Sequence, residues 1–513
     1  MERNSLVSNR RWWTLGVLCL SLLVIGLDNT ILNVALPTLA RDLDASSSQL
    51  QWIVDAYMLV FAGVLLTAGA LGDRFGRKRA LTLGLAVFGA GSIASALSSS
   101  AEMLIASRGL MGIGGAFIMP STLSILTATF RDPAERAKAI GVWAGVSGLG
   151  IAIGPVTGGW LIQHASWHWI FLVNVPFVLL ALAAGRFLVP ESRDPAAPRL
   201  DLCGFALSAA GLTALVWGII EAPTRGWTDP LVLGALAGAT VVLAAFVAWE
   251  LRAPAPMLDV RLFRKPRFSA ASAAISLAFF ALFGLIFFLT QYLQSILGYD
   301  ALEAGLRTMP VAGGLILGGP ASAKLAARIG TKVVVAAGLA LVGVALLLLT
   351  GADAASGYGL VLASLLVLGF GMGCAMAPAT EAIMGALPLA KASVGSAVND
   401  TTRTTGGALG VAVLGSVLSG RYRGAMDHAV AGLPDRAAGI AHDSLAGALA
   451  VAQRVGGAPG GRLASAAQDA FLSGMHAAAL VAAGVAFAGA LVALAYLPAR
   501  AAAPAGEPRA VPA

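Results

Sequence analysis

Apolar residues in this chain come in long blocks rather than in alternation or narrow stripes. CLSLLVI (19–25) and VFAGVLLTAGAL (60–71) are typical. Such blocks continue for about 18 residues or more, the length an α-helix needs to cross the hydrocarbon of a bilayer. Fourteen can be drawn, at 12–36, 50–71, 80–98, 103–127, 138–162, 168–189, 202–220, 231–250, 268–294, 302–323, 333–350, 358–381, 393–419 and 475–497. The pattern predicts an all-α polytopic membrane protein with 14 transmembrane helices. The first block is too long for the core of a signal peptide, lacks an A-x-A site and leads straight into further spans.

Composition agrees. Charged residues make up 12% of the 513 and hydrophobic residues 58%, with mean hydropathy +0.82. A soluble domain carries about a quarter charged residues. The net charge of +8 would suggest nucleic acid in a soluble chain, but here the distribution of Lys and Arg explains it. With the N-terminus inside, inner segments hold 24 of the 34 basic residues and outer segments seven; Arg108, Arg307 and Arg403 lie within spans. That bias predicts both termini on the cytoplasmic side. The 420–474 segment is then a long extracytoplasmic loop, in which DSLAGALAVAQRV can form an amphipathic helix but no further structure is expected. The tail, 498–513, reads as disordered.

Two inner segments echo each other. LGDRFGRK (71–78) and LAARIGTK (325–332) share Leu, Arg, Gly and Lys in register, eight spans apart. That shift fits two six-span halves with two spans inserted between them. The expected organisation is a cytoplasmic N-terminus (1–11), an N-terminal six-helix bundle (12–189), two linker helices (202–250) and a C-terminal six-helix bundle (268–497). Parallel halves of this kind build many secondary transporters, with the substrate site between them near the midplane.

The motifs point to a family. GALGDRFGRKRAL (69–81) carries Gly69, Asp73, Arg74, Gly76, Arg77 and Lys78. Read on physics alone it is a glycine-containing tight turn with an inner basic anchor. LIASRGLMGIGG (104–115) places Arg108 inside a span, and a Gly-Pro run sets Gly141, Gly150, Gly154, Pro155, Gly158 and Gly159 along the fifth. Together these resemble the signatures of the major facilitator superfamily, the last being its antiporter motif. WHWIFLVNVP (167–176), NDTTRTTGGALGVAVLGS (399–416), the Asp-x-Thr-Ile of span 1 and WIVDAY (52–57) resemble the fourteen-span drug:proton antiporters that export quaternary ammonium compounds and dyes. The resemblance covers nearly the whole chain. It implies a major facilitator fold, no cofactor, the first loop motif as an inner gate, and proton-coupled multidrug efflux from a bacterial cytoplasmic membrane. His168, Ala327 and Thr404 depart from the family's usual residues.

Ionisable groups inside spans face the bundle interior or a water-filled cavity. Asp28, in GLDNTILNVALP (26–37), lies about 24 Å along span 1 from Arg11 at ~1.5 Å per residue. Asp55 stands about one turn into span 2 from the outer side, at the rim. A carboxyl that takes and gives a proton at working pH excludes a cation while protonated and attracts one while ionised, so Asp28, Asp55 and Asp400 are candidate proton or cation sites. The alternatives are a fixed structural partner for Arg108 or for Thr30 and Asn33 (Asp28), simple hydration (Asp55), and a self-neutralised pair with Arg403 (Asp400). Arg108 stays charged and would tune a neighbouring acid, with Asp28 the first candidate. Arg403 would do the same in span 13. Glu303 and Arg307 are spaced for an ion pair, and Glu381 for the inner rim. Tyr57, Phe61, Trp143, Phe287, Tyr292, Met309 and Met376 can line a cavity for flat cations, although ordinary packing accounts for each.

Cys19, Cys203 and Cys374 have no metal-ligand spacing, and the five histidines form no ligand group. No Walker A, HExxH or GxSxG element is present, so no metal is expected and an ion gradient is favoured over ATP. The expected partners are small amphipathic substrates, protons and lipid, for a monomer that binds no nucleic acid. The competing readings are a dedicated exporter of one antibiotic or metabolite and, remotely, a non-transporting membrane sensor.

Overall fold

The computed structural model describes residues 2–130, 132–193, 200–384 and 392–497. Among them every regular element is helical. The first half comprises α1 (Glu2–Asp42), α2 (Ser47–Phe75), α3 (Arg77–Ala96), α4 (Ala101–Thr129), α5 (Pro133–His164), α6 (Trp169–Leu172) and α7 (Asn174–Leu188). Next come α8 (Leu202–Arg225) and α9 (Pro230–Glu250). The remainder comprises α10 (Pro266–Gln291), α11 (Ala301–Thr308), α12 (Pro310–Ile329), α13 (Thr331–Leu349), α14 (Tyr358–Met384), α15 (Ala392–Met426), α16 (Asp435–Asp443), α17 (Leu445–Val455) and α18 (Gly457–Tyr496). All fourteen expected segments are helical, and eleven helices among the described residues are long and apolar enough to cross a membrane. Lys391 and the 498–513 tail lie outside the described residues.

Successive long helices reverse direction. The near face carries both ends of the bundle; the far face carries the turns at 43–46, 97–100 and 165–168. Helix starts follow local chemistry. Ser46 and Gln49 form a capping box on α2, and Ser100, Asp132, Asp229, Asp300 and Ser444 cap α4, α5, α9, α11 and α17. The two echoing segments make the same turn. Gly76 (φ 122°) and Gly330 (φ 91°) each end one helix and start the next in the left-handed region that glycine tolerates.

Three expectations are corrected. The sixth block is interrupted at Val173, because Pro176 has no N–H for the Leu172 carbonyl one turn back. The tenth is interrupted at Met309, directly before Pro310. The 420–474 segment is helical well beyond the one stretch predicted. It completes α15, forms α16 and α17, and supplies about the first five turns of α18. The buried Tyr422 hydroxyl donates to the Ala441 carbonyl at 2.9 Å, and Ser47 Oγ donates to the Asp443 carbonyl at 2.6 Å. These contacts seat the hairpin as a cap on the far face.

Two hydrophobic clusters form. One draws mainly on α1–α7, the other on α10–α18. They meet where α2 packs on α15, α1 on α10, and α5 on α11. Backbone approaches backbone there: a methyl group at Gly159 would lie 2.5 Å from the Leu302 Cα, and one at Gly305 would lie 2.7 Å from the Pro155 carbonyl carbon. Helix α8 leans on both α2 and α15, straddling the seam.

One seam contact follows directly from a proline. Pro37 lies inside α1 and has no N–H, so the Asn33 carbonyl loses its helical donor. Thr290 Oγ1, from the other half, donates to that carbonyl at 2.8 Å, and Gln294 Nε2 donates to the next, Val34, at 2.9 Å. Gln294 sits in a π-helical turn, Tyr292–Ile296, that extends α10. Thr290→Val should lower stability by about 1 kcal/mol. Pro37→Ala in the same chain should recover most of that loss, since it restores the donor. Thermal unfolding of the purified variants in detergent measures both, and strictly additive losses would refute the carbonyl account.

Candidate functional site: buried charges beside the seam

The site grows from close helix packing. Gly112 and Gly115 let α4 lie against α2 at Tyr57 and Phe61. Gly150, Gly154 and Gly158 let α5 lie against α1 at Leu23, Leu27 and Ile31, the turns on either side of Asp28. Larger residues at these positions would push apart the helices that carry the charges.

Within this packing, Arg108 of α4 and Asp28 of α1 are 2% and 0% exposed, with Nη1 2.7 Å from Oδ2. Arg108 Nε donates to the Ile53 carbonyl at 3.1 Å, and the guanidinium lies over the Tyr57 ring, 4.5 Å from its centroid. Asn174 of α7 faces Asp28 from the other side and donates to Ser92 Oγ at 3.2 Å. The guanidinium is thus met by a carboxylate, a carbonyl and an aromatic face. A buried pair is tolerated only with such supporting contacts.

Asp55 is different, and its burial does not fit the alternative of simple hydration at the rim. It is 0% exposed, and neither carboxyl oxygen has a hydrogen-bond partner among the described residues. Asp28 and Asp55 do not interact. Four residues earlier on α2, Gln51 packs against Gly415 of α15, and neither its amide nor the Ser416 hydroxyl has a side-chain hydrogen-bond partner among the described residues. Met58, three residues later, lies against Gly407. Asp55 therefore lies on the α2 face that meets α15.

Asp400 and Arg403 of α15 are an i,i+3 pair at 3.6 Å, 15% and 29% exposed, with Arg403 over the Phe279 ring at 4.6 Å. Glu303 and Arg307 pair at 3.6 Å on the far face, where Arg307 also stacks on Tyr299 at 3.8 Å.

The proposed cavity residues divide. Tyr57, Phe61, Phe287 and Tyr292 are buried in the packed clusters and face no open space in this conformation. The Tyr292 hydroxyl donates to the Asp353 carbonyl at 2.9 Å. Trp143 is half-buried and donates to Thr122 Oγ1 at 3.2 Å, Met376 packs on the C-terminal cluster, and Met309 is exposed at the α11–α12 break.

On the near face, Asp73 pairs with Arg77 at 2.7 Å. Glu191 was not singled out in the sequence. It accepts the Lys78 N–H at 3.1 Å at the start of α3, over Gly76, where a methyl group would lie 2.8 Å from its Oε1. Lys78 Nζ donates to the Arg186 carbonyl at 2.8 Å. The first loop motif is thus clasped by the segment after α7. Arg11 and Glu135 make a two-pronged contact joining α1 to α5, one prong at 2.7 Å. Gly69 packs on Pro120, and Arg74 lies over Phe75. Gly141 lies within α5.

Helices of membrane-crossing length, a two-cluster bundle and charges buried beside the seam are the marks of a secondary transporter. Residues 18–411 match the Major Facilitator Superfamily, and the chain belongs to that family. Over 483 residues it is 38% identical to the "Multidrug efflux pump LfrA" of Mycolicibacterium smegmatis, covering 94% of this chain and 95% of that protein. It is 36% identical to the "Tetracenomycin C resistance and export protein" of Streptomyces glaucescens, covering 94% and 91%. The "Methyl viologen resistance protein SmvA" of Salmonella typhimurium is 34% identical, with 93% and 96% covered. In fold the chain is similar to a bacterial homolog of the human lysosomal transporter Spinster, with a TM-score of 0.65 at 19% identity, covering 94% of this chain and 98% of that one.

Arg108→Met should cost about 3–5 kcal/mol by stranding Asp28, and Asp28→Asn should cost a comparable amount by stranding Arg108. The double variant should lose less than the sum. A thermal-unfolding double-mutant cycle reads this directly, and additive losses would mean that the two groups are not coupled.

Proposed function

We propose that this chain is a proton-coupled antiporter that exports amphipathic, often cationic compounds across a bacterial cytoplasmic membrane. In this reading all fourteen helical segments span the membrane as six, two and six, and both termini are cytoplasmic. The basic residues crowding the near-face segments support that orientation. The two six-helix bundles rock about the seam, and the contacts between them lie toward the far face. In this reading the arrangement is the one open to the cytoplasm.

The observation that carries the reading is Asp55: a fully buried carboxyl with no hydrogen-bond partner among the described residues, on the surface where α2 meets α15. In this reading Asp55 carries a proton while the far side is closed, because an ionised carboxyl buried without a partner is costly. Parting α2 from α15 would expose it to far-face water. Asp28, already engaged by Arg108, is the second proton or cation group, and Asp400 with Arg403 is the corresponding pair in the C-terminal half. The Gly76 and Gly330 turns act as inner gates. The family relatives named for multidrug efflux and methyl viologen resistance support the substrate class.

A second reading, export of one dedicated antibiotic by the same mechanism, is supported by relatives named for tetracenomycin C export and puromycin resistance.

Ethidium uptake into inverted vesicles energised by a pH gradient tests the proposal. Wild-type accumulation should collapse with a protonophore. Asp28→Asn and Asp55→Asn, each close in shape to the residue replaced, should fall to background. Unchanged uptake in both variants would remove these acids from coupling. No dye uptake by wild type, with resistance confined to one antibiotic, would establish the second reading.

A further inference from the structure

Helices α8 and α9 pack antiparallel through a ladder with a seven-residue repeat. Methyl groups at Gly218 and Gly211 would each lie 2.7 Å from the Cδ2 atoms of Leu236 and Leu243. The third rung opposes Gly204 to residue 250, and there the repeat calls for a third leucine. The residue is Glu250, 2% exposed and at the end of a helix with no other charge. A methyl group at Gly204 would lie 2.5 Å from Glu250 Oε1 and 2.6 Å from Asp201 Oδ2, so the two carboxyl oxygens converge within about 5 Å over the bare glycine. Both oxygens are buried and without a hydrogen-bond partner. The other two are engaged. Asp201 Oδ1 accepts from the Gly204 N–H and from the Trp249 indole, both at 2.8 Å, while Glu250 Oε2 accepts the Leu258 N–H at 3.0 Å.

No Lys, Arg or His contacts either carboxyl among the described residues. In the adjoining segment, Arg261 donates to the Leu251 carbonyl at 2.8 Å, and Asp259 caps the Arg261 N–H at 3.2 Å. Arg252 and Arg264 are the segment's other charged groups beside Lys265. On the near end of α2, Asp73 is held by Arg77, and Arg74 lies over Phe75. Two facing carboxyls without a cation cannot both stay ionised.

We propose that Asp201 and Glu250 form a binding site for one proton, taken from the near-face solution, and that this proton fastens the base of the α8–α9 pair. The proton joins Glu250 to Asp201, while Glu250 holds the 251–258 segment through Leu258. That segment reaches α2, where Thr67 Oγ1 donates to Met257 Sδ at 3.5 Å. Helix α8 also straddles the seam between the two halves. Losing the proton places two like charges side by side and loosens this junction. The site is separate from the buried acids near the seam, and its existence does not depend on the transport reading.

Trp249 is a built-in reporter, because its indole donates to Asp201. Tryptophan fluorescence of the purified full-length protein, without substrate, is titrated over about pH 5 to 9, and the signal of Trp249→Phe is subtracted. Wild type should show a single one-proton step. Glu250→Gln and Asp201→Asn should both abolish it while remaining monodisperse, since each keeps a group that can bridge to the remaining carboxyl. Either variant alone suffices if the other fails to fold. A step that survives the substitutions, or a flat wild-type trace, overturns the proposal. A step that appears only after adding Mg²⁺ or Ca²⁺ also overturns it, and makes the site one for a metal ion.

Discussion

A guanidinium does not shed its proton when buried, so wherever one is enclosed the surroundings must be built around it. Arg108 imposes that constraint on the N-terminal half. Asp28 must come from α1, the Ile53 carbonyl and the Tyr57 ring from α2, and all of them must converge on α4. Three helices are thereby fixed in rotation and depth by one side chain. Convergence to within hydrogen-bond distance also requires helices closer than ordinary side chains allow. Glycines supply that closeness at α2–α4 and α1–α5.

The same economy of side chains shapes the seam. Lipid offers no hydrophobic drive for helix association, so contact between helices rests on close packing and on polar groups that find partners. On the far side this appears as Gly159 and Gly305 against bare backbone, and as a Thr290 hydroxyl filling the carbonyl that Pro37 leaves open. Contacts of this kind have small energies and discrete geometry. Asp55 departs from this local satisfaction, for its carboxyl has no hydrogen-bond partner among the described residues.

Much of this was legible in the chain. Block length marked the helices, and the Gly76 and Gly330 turns were foreshadowed by the echo between LGDRFGRK and LAARIGTK. Asp28 and Arg108 stood out as charges where charges are expensive. Other features were present but harder to see. Gly204, Gly211 and Gly218 recur every seven residues, as do Leu236, Leu243 and Glu250, yet the repeat acquires meaning only when the two helices are laid antiparallel. Glu191 looked like one more acid in a polar segment, because its partner, the start of α3, is 113 residues away. The far-face cap was underestimated because its Ala- and Gly-rich helices draw their stability from packing on α18 and on the bundle rather than from their own composition.

What the sequence determined by itself is the solvent and the period: long apolar blocks can only be membrane helices, and a charge within them has to be answered by something. The tertiary structure decided what answers each charge. Arg108 lies 80 residues from Asp28, and the two meet because glycines in the turns around them let α4 and α5 close on their neighbours. Asp55, one helix away from that pair, has no hydrogen-bond partner among the described residues, and the face of α2 that carries it is turned toward α15. Spacing along a chain fixes which residues share a helix face. Which face meets which is set by the packing of whole helices, and there identical residue types acquire opposite fates.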